Sequence, residues 1–124
     1  WNTEEVDFDK FCVLADENSD AESFLKILAP DMTAIDRGHG LYECVPTGYD
    51  KATAMEVILK HYGIAREDSY AFGDSMNDLA MIRYAGNSII MEKHAKGLEP
   101  YATFITKDVE DDGIAWAFEK LHII

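Results

Sequence analysis

The chain is short of the residues that would settle its class at a glance. Cysteine is nearly absent: 124 residues contain only Cys12 and Cys44, too few for a disulfide framework. Each stands in an apolar run, Phe11-Cys12-Val13-Leu14 and Tyr42-Glu43-Cys44-Val45, where a free cysteine behaves as a small buried hydrophobe. A reduced, cytoplasmic setting is expected. Long hydrophobic runs are missing too: no stretch approaches the roughly 18 apolar residues that span a bilayer, and no signal peptide is expected from the opening residues. Membrane is therefore not an expected partner. Basic residues are scarce, 11 Lys and Arg against 24 Asp and Glu for a formal charge of −13. That balance repels a polyphosphate backbone and argues against nucleic acid. It would suit a protein that concentrates divalent cations, and equally one that is merely kept soluble. A starting methionine is also lacking. The chain opens at Trp1, and an upstream segment is expected to have been removed.

What is present describes a globular protein, 48% hydrophobic and 28% charged, with length for one main core. Residues 6–15 read as a strand with Phe11-Cys12-Val13-Leu14 as its buried stretch, ended by Asp16-Glu17-Asn18-Ser19-Asp20. Phe24, Leu25, Ile27 and Leu28 fall on a helical stripe that Ser19 or Asp20 can cap and Pro30 closes. Residues 32–36 and 41–45 look like two strands joined by Arg37-Gly38-His39-Gly40. Residues 1–46 are thus a small β-α-β-β unit. Pro46-Thr47-Gly48 breaks the pattern, and the domain boundary is placed there. Over residues 47–124 strands and helices alternate, the signature of βαβ crossovers, a parallel sheet and the α/β class. Helices are predicted over 51–62, 76–85, 95–99 and 113–121, and strands over 69–72, 88–91 and 103–106.

Chemistry concentrates in two segments. In Tyr70-Ala71-Phe72-Gly73-Asp74-Ser75-Met76-Asn77-Asp78 an apolar strand runs into glycine, two aspartates and an asparagine before a helix. Ligands of open parallel sheets bind just beyond the carboxyl ends of the strands, which is where Asp74 falls. Gly73 lets the backbone turn, and Asp78 lies about one helical turn further on. Two hard oxygen donors so spaced suit Mg²⁺, which keeps water and substrate phosphate in its remaining positions. The plain alternative is capping: Ser75 or Asp74 starts the helix and Asp78 favours its positive end. In the second segment, Gly48-Tyr49-Asp50-Lys51, a lysine stands in the first turn of a helix. The helix dipole disfavours a cation there. An anionic ligand, Asp50 or an incidental surface pairing would compensate it.

These segments, in this order, resemble the third and fourth motifs of the haloacid dehalogenase-like (HAD) superfamily, specifically the Cof-type sugar-phosphate phosphatases. The likeness continues through Gly63-Ile64, Met81, Ala85-Gly86, residues 102–106 and Glu110-Asp111-Asp112-Gly113-Ile114. Residues 1–46 resemble the last part of the family's inserted α/β cap domain, and residues 47–124 the C-terminal part of its Rossmannoid core. The resemblance implies Mg²⁺-dependent hydrolysis of a small-molecule phosphate ester. Lys51 would steady the charge on the transferred phosphoryl group and nucleophile, and Asp74 would bind the metal directly. Asp78 would coordinate it or orient its water shell, while Asn77 would contact the phosphate. Catalysis by positioning and charge neutralisation fits phosphoryl transfer in general.

Half of that family's machinery is missing. Its nucleophile lies in an Asp-x-Asp-x-Thr motif after an apolar strand, and a serine or threonine ends its second strand. Asp7-Phe8-Asp9 has the spacing of the first motif but stands before its strand and is followed by Lys10. Asp16, Asn18 and Asp20 imitate an EF-hand opening, yet Ala21 occupies the glycine position and Ile27 the bidentate glutamate position. His39, His61, His94 and His122 have no metal-ligand spacing. Where the family places Gly-Asn-Ala, this chain has Glu92-Lys93-His94, with Lys93 a candidate phosphate ligand or a solvated surface residue. Two readings follow. The chain is the C-terminal portion of a phosphatase, inactive alone, which self-associates or is complemented by the missing N-terminal part. The alternative is a stand-alone, non-catalytic α/β binding or assembly module.

Overall fold

The computed structural model describes residues 8–124, which fall into two compact units, one ending at Tyr49 and the other beginning at Asp50. In the first, β1 (Phe11–Leu14), β2 (Met32–Asp36) and β3 (Leu41–Pro46) form an antiparallel sheet in the order β1-β3-β2. Helix α1 (Ala21–Leu28) packs against β2. Asp20 is its cap, accepting from the Ser23 amide at 3.1 Å. The Asp16 carboxylate accepts from the Asn18 amide and the Ser19 hydroxyl, so this acidic stretch forms the entry to a helix. The β2–β3 turn places Gly40 at φ +76, where a Cβ would lie 2.1 Å from the Ala15 carbonyl oxygen.

Two expectations for this unit need correction. The run Phe11-Cys12-Val13-Leu14 is not buried throughout, because β1 pairs only with β3 and its residues alternate between faces. Cys44 is fully buried on the central strand, whereas Cys12 is exposed. Ile27 is likewise exposed, and α1 has no fully buried residue. The predicted strand over 6–15 and the sequence Asp7-Phe8-Asp9 begin outside the described residues; Phe8 and Asp9 are exposed and precede β1.

The second unit is a βαβ arrangement. Strands β4 (Tyr70–Gly73), β5 (Asn87–Ile90) and β6 (Phe104–Ile105) run parallel in that order. Central β5 buries Ile89 and Ile90 completely, as a strand covered on both faces must, and each such side chain contributes about 1.5–3 kcal/mol. Of helices α2 (Lys51–Tyr62), α3 (Leu79–Tyr84) and α4 (Gly113–Lys120), α3 packs on β4 and β5 and α2 packs on α3. Ala71, Ile82, Ala85, Ile90 and Leu98 make the core, with Met55 of α2 against it. From α4, Phe118 stacks on Phe72 of β4 and Trp116 on Phe104 of β6.

The predicted helix over 76–85 is two pieces, a 3₁₀ turn at Met76–Asp78 and then α3. The predicted helix over 95–99 is absent. Gly97 takes φ +102, which ends any helix there, and Pro100 instead sits at the start of a 3₁₀ turn over Glu99–Tyr101. No described helix is long and apolar enough to cross a membrane.

Candidate active site

The site grows out of the end of β4. Gly73 is buried there, and a Cβ on it would lie 2.7 Å from Asp78 Cβ and 3.0 Å from Asp78 Oδ2. Only a residue without a side chain lets the strand end pass so close to an aspartate. Asp78 Oδ2 accepts from the backbone amides of Asp74 at 3.0 Å and Ser75 at 3.2 Å. Ser75 completes a capping box with Asp78, and the Asp78 amide donates to the Ser75 carbonyl at 2.8 Å. One carboxylate thus holds the whole turn, although only 5% of its residue is exposed.

Its other oxygen faces Lys51. Asp50 caps α2 through the Thr53 amide at 2.8 Å, with Thr53 Oγ1 accepting from the Asp50 amide at 2.9 Å. That box seats Lys51 as the first helical residue, and its Nζ donates to Asp78 Oδ1 at 2.5 Å. The partner that offsets an unfavourable helix-dipole position is therefore an aspartate 27 residues away. Burial alone would push the Asp78 carboxyl up. The Lys51 hydrogen bond, the two backbone amides and the nearby positive charge outweigh it and hold the group below its ordinary value.

Asp74 is different. Its residue is exposed at the carboxyl end of β4, and among the described residues no cation pairs with its carboxylate. Its backbone is held from both sides, the amide by Asp78 Oδ2 and the carbonyl by the Ala95 amide at 2.7 Å. Asn77 is half-buried in the same turn and its Oδ1 accepts from Ser75 Oγ at 2.6 Å. Capping accounts for Ser75 and Asp78 but leaves the Asp74 carboxylate without a structural task. Lys51, Asp74, Asn77 and Asp78 are thus brought together at one sheet edge.

As a place for Mg²⁺ this donor set fits in part. Asp74 offers an unpaired hard oxygen donor, and Mg²⁺ is commonly held by one or two carboxylates with waters retained. Asp78, whose two oxygens serve Lys51 and the turn amides, is suited to the water shell. No group of three or more potential ligands occurs among the described residues.

The loop after β5 adds what sequence patterning missed. Met91 donates its amide to the Gly73 carbonyl at 3.1 Å, so the loop grips the turn at Gly73 as well as at Asp74. His94 Nδ1 meets the Met91 carbonyl at 2.7 Å, and its Nε2 lies 3.3 Å from Glu99 Oε1. Lys93 pairs with Asp108, with Glu110 at 3.6 Å. The signal available was the departure of Glu92-Lys93-His94 from Gly-Asn-Ala.

Comparison with known proteins agrees with this architecture. Residues 1–118 match the family described as haloacid dehalogenase-like hydrolase, and the chain belongs to that family. Over 82 residues it is 37% identical to the putative phosphatase YkrA of Bacillus subtilis (strain 168), covering 66% of this chain and 32% of YkrA. Over 84 residues it is 37% identical to the 5-amino-6-(5-phospho-D-ribitylamino)uracil phosphatase YwtE of the same organism, covering 68% and 29%. A solved haloacid dehalogenase-like hydrolase from Bacteroides thetaiotaomicron superposes with a TM-score of 0.76 at 33% identity, covering 91% of this chain and 44% of that one. The HAD subclass IIB sugar phosphatase BT4131 gives a TM-score of 0.73 at 25% identity, covering 84% and 41%. The matches span under one third of those two curated relatives and under half of the two solved chains.

Proposed function

We propose that this chain carries the lysine and metal-acid half of a Mg²⁺-dependent, Cof-type phosphatase acting on small phosphorylated metabolites of the cytoplasm, sugar phosphates or related esters. The observation that carries the reading is the contrast within one turn: Asp78 is saturated by Lys51 and two amides while neighbouring Asp74 is exposed and unpaired. Named functions of relatives support the substrate class, one a sugar phosphatase and one a ribitylaminouracil-phosphate phosphatase.

In this reading residues 1–46 are the end of the cap and residues 47–124 the end of the core. Mg²⁺, when bound, supplies neutralisation of the phosphoryl oxygens. Asp74 would hold it, and Asp78 would coordinate it or orient its water shell while fixing Lys51. Lys51 presents its ammonium to the phosphoryl group, and Asn77 contacts the same phosphate. The chain alone is inactive, because none of its acids follows a strand in an Asp-x-Asp-x-Thr motif. The full-length product should hydrolyse p-nitrophenyl phosphate only with Mg²⁺, and Asp74→Ala should abolish this. Metal-independent turnover, or activity retained by that variant, defeats the reading. Asp74-dependent turnover by the 124-residue chain would refute its inactivity alone.

The missing half also has a surface to meet. Among the described residues β4 pairs only with β5, leaving its other edge open, a template for a further strand. Val57, Ile58 and Tyr62 are exposed on α2 of the same unit. Self-association of the isolated chain, or capture of the N-terminal part, follows. Sedimentation at tens of micromolar tests it: a strictly monomeric chain with a cooperative melt counts against this pairing.

A further inference from the structure

Resting on the reading of Asp74 as the metal acid, we propose that His94 is a positioning residue that holds the Asp74 backbone through the loop after β5. The Asp74 amide is fixed by Asp78 and its carbonyl by the Ala95 amide at 2.7 Å. With both ends of the residue held, its Cα–Cβ direction is set and the carboxylate can swing only about its side-chain torsions. The first anchor is local to the turn. The second depends on where the 91–95 loop, with Ala95 packed against the core, puts the Ala95 amide.

His94 closes that loop from within. It starts at Met91, whose amide donates to the Gly73 carbonyl at 3.1 Å, and returns at Ala95. Between these points His94 Nδ1 closes the turn on the Met91 carbonyl at 2.7 Å. A carbonyl only accepts, so Nδ1 carries the proton. The ring is 12% exposed and is backed by Glu99 at Nε2, while Glu99 Oε2 accepts from the Gly97 amide at 2.8 Å. Fully buried Leu98 lies in the same stretch. Outside, Lys93 ties the loop to Asp108, a second tether. An imidazole fixed through Nδ1, and through Nε2 by Glu99 when the ring is protonated, and acting on a neighbouring ligand is how outer groups tune a metal site.

The test uses the full-length product as wild type, His94→Ala and His94→Asn. Asparagine retains a donor at the position of Nδ1 and so can still close the turn. Two readouts are needed: amide hydrogen exchange at Ala95, with Ile89 and Ile90 of β5 as the fold control, and Mn²⁺ affinity by electron paramagnetic resonance. His94→Ala should deprotect Ala95 while β5 stays protected, and should weaken Mn²⁺ by roughly tenfold. His94→Asn should recover most of both. Unchanged protection at Ala95 in His94→Ala, or no recovery in His94→Asn, overturns the brace. Deprotection with unchanged Mn²⁺ affinity overturns the link to the metal. Equal Mn²⁺ binding by wild type and Asp74→Ala overturns the site reading itself, while the exchange data still decide the brace.

Discussion

Each unit buries a carboxylate that gives both oxygens to fixed partners, and the two clamps are built for different ends. On β3, Glu43 is 6% exposed and gives one oxygen to Lys10 at 2.9 Å and the other to Arg37 at 2.8 Å. In the second unit Asp78, equally buried, gives one oxygen to a lysine and the other to the backbone of a turn. The first clamp joins side chains to side chains, from the residue before β1 and the residue after β2 to the central strand. The second sets the path of a chain reversal and leaves an acid beside it unpaired. A buried ion pair alone is therefore weak evidence of function. The informative feature is the neighbour that has nothing to do.

The sharpest way to break the comparison is to remove each buried acid. Asp78→Ala should cost the second unit about 3 kcal/mol, because the Asp74 and Ser75 amides lose their acceptor and Lys51 its partner. Half-exposure of Lys51 keeps the ionic share small. Glu43→Ala should cost less, about 1–2 kcal/mol, since Lys10 is 62% exposed and can turn to water while Arg37, 30% exposed, loses its partner. Urea midpoints of the two variants test the order, and equal losses would erase the distinction. Acid should discriminate next. Asp78 titrates below its ordinary aspartate value, so its contribution is complete above about pH 3.9 and is lost as pH falls through the lower, folded value. The stability gap between wild type and Asp78→Asn should then narrow as pH drops below about 3.9. A gap that stays constant would mean that the charge of Asp78 is irrelevant. Smallest of all, Asp74→Ala should move stability by under about 0.5 kcal/mol while removing Mg²⁺ binding, which calorimetric titration would show. A large loss of stability would give Asp74 a structural task after all.

Much of this could be read along the chain. Gly73 followed by Asp74, Asn77 and Asp78 at a strand end marked the turn of the candidate site, and strand–helix alternation after Pro46 marked the parallel sheet, because both depend on local pattern. What could not be read depends on tertiary placement. Nothing near Lys51 in sequence points to Asp78 as its partner. Cys12 and Cys44 sit in similar apolar runs, yet only the cysteine of the central strand is buried. Residues 95–99 have helical composition until Gly97 adopts a left-handed φ. His94 resembled a stray histidine because its partners are a carbonyl three residues back and a glutamate five residues on, a pattern with no sequence signature.

The close approach of Gly73 to Asp78 has a genetic corollary. With 2.7 Å between a new Cβ and that of Asp78, Gly73→Ala forces the aspartate side chain to move and so disturbs Lys51 and the turn at once. Substitutions at 73 and 78 should be strongly non-additive. Asp78→Gly, harmful alone, should act as a partial intragenic suppressor of Gly73→Ala for folding, yet never for activity. Positions 73 and 78 are in effect a single locus, inherited together or lost together.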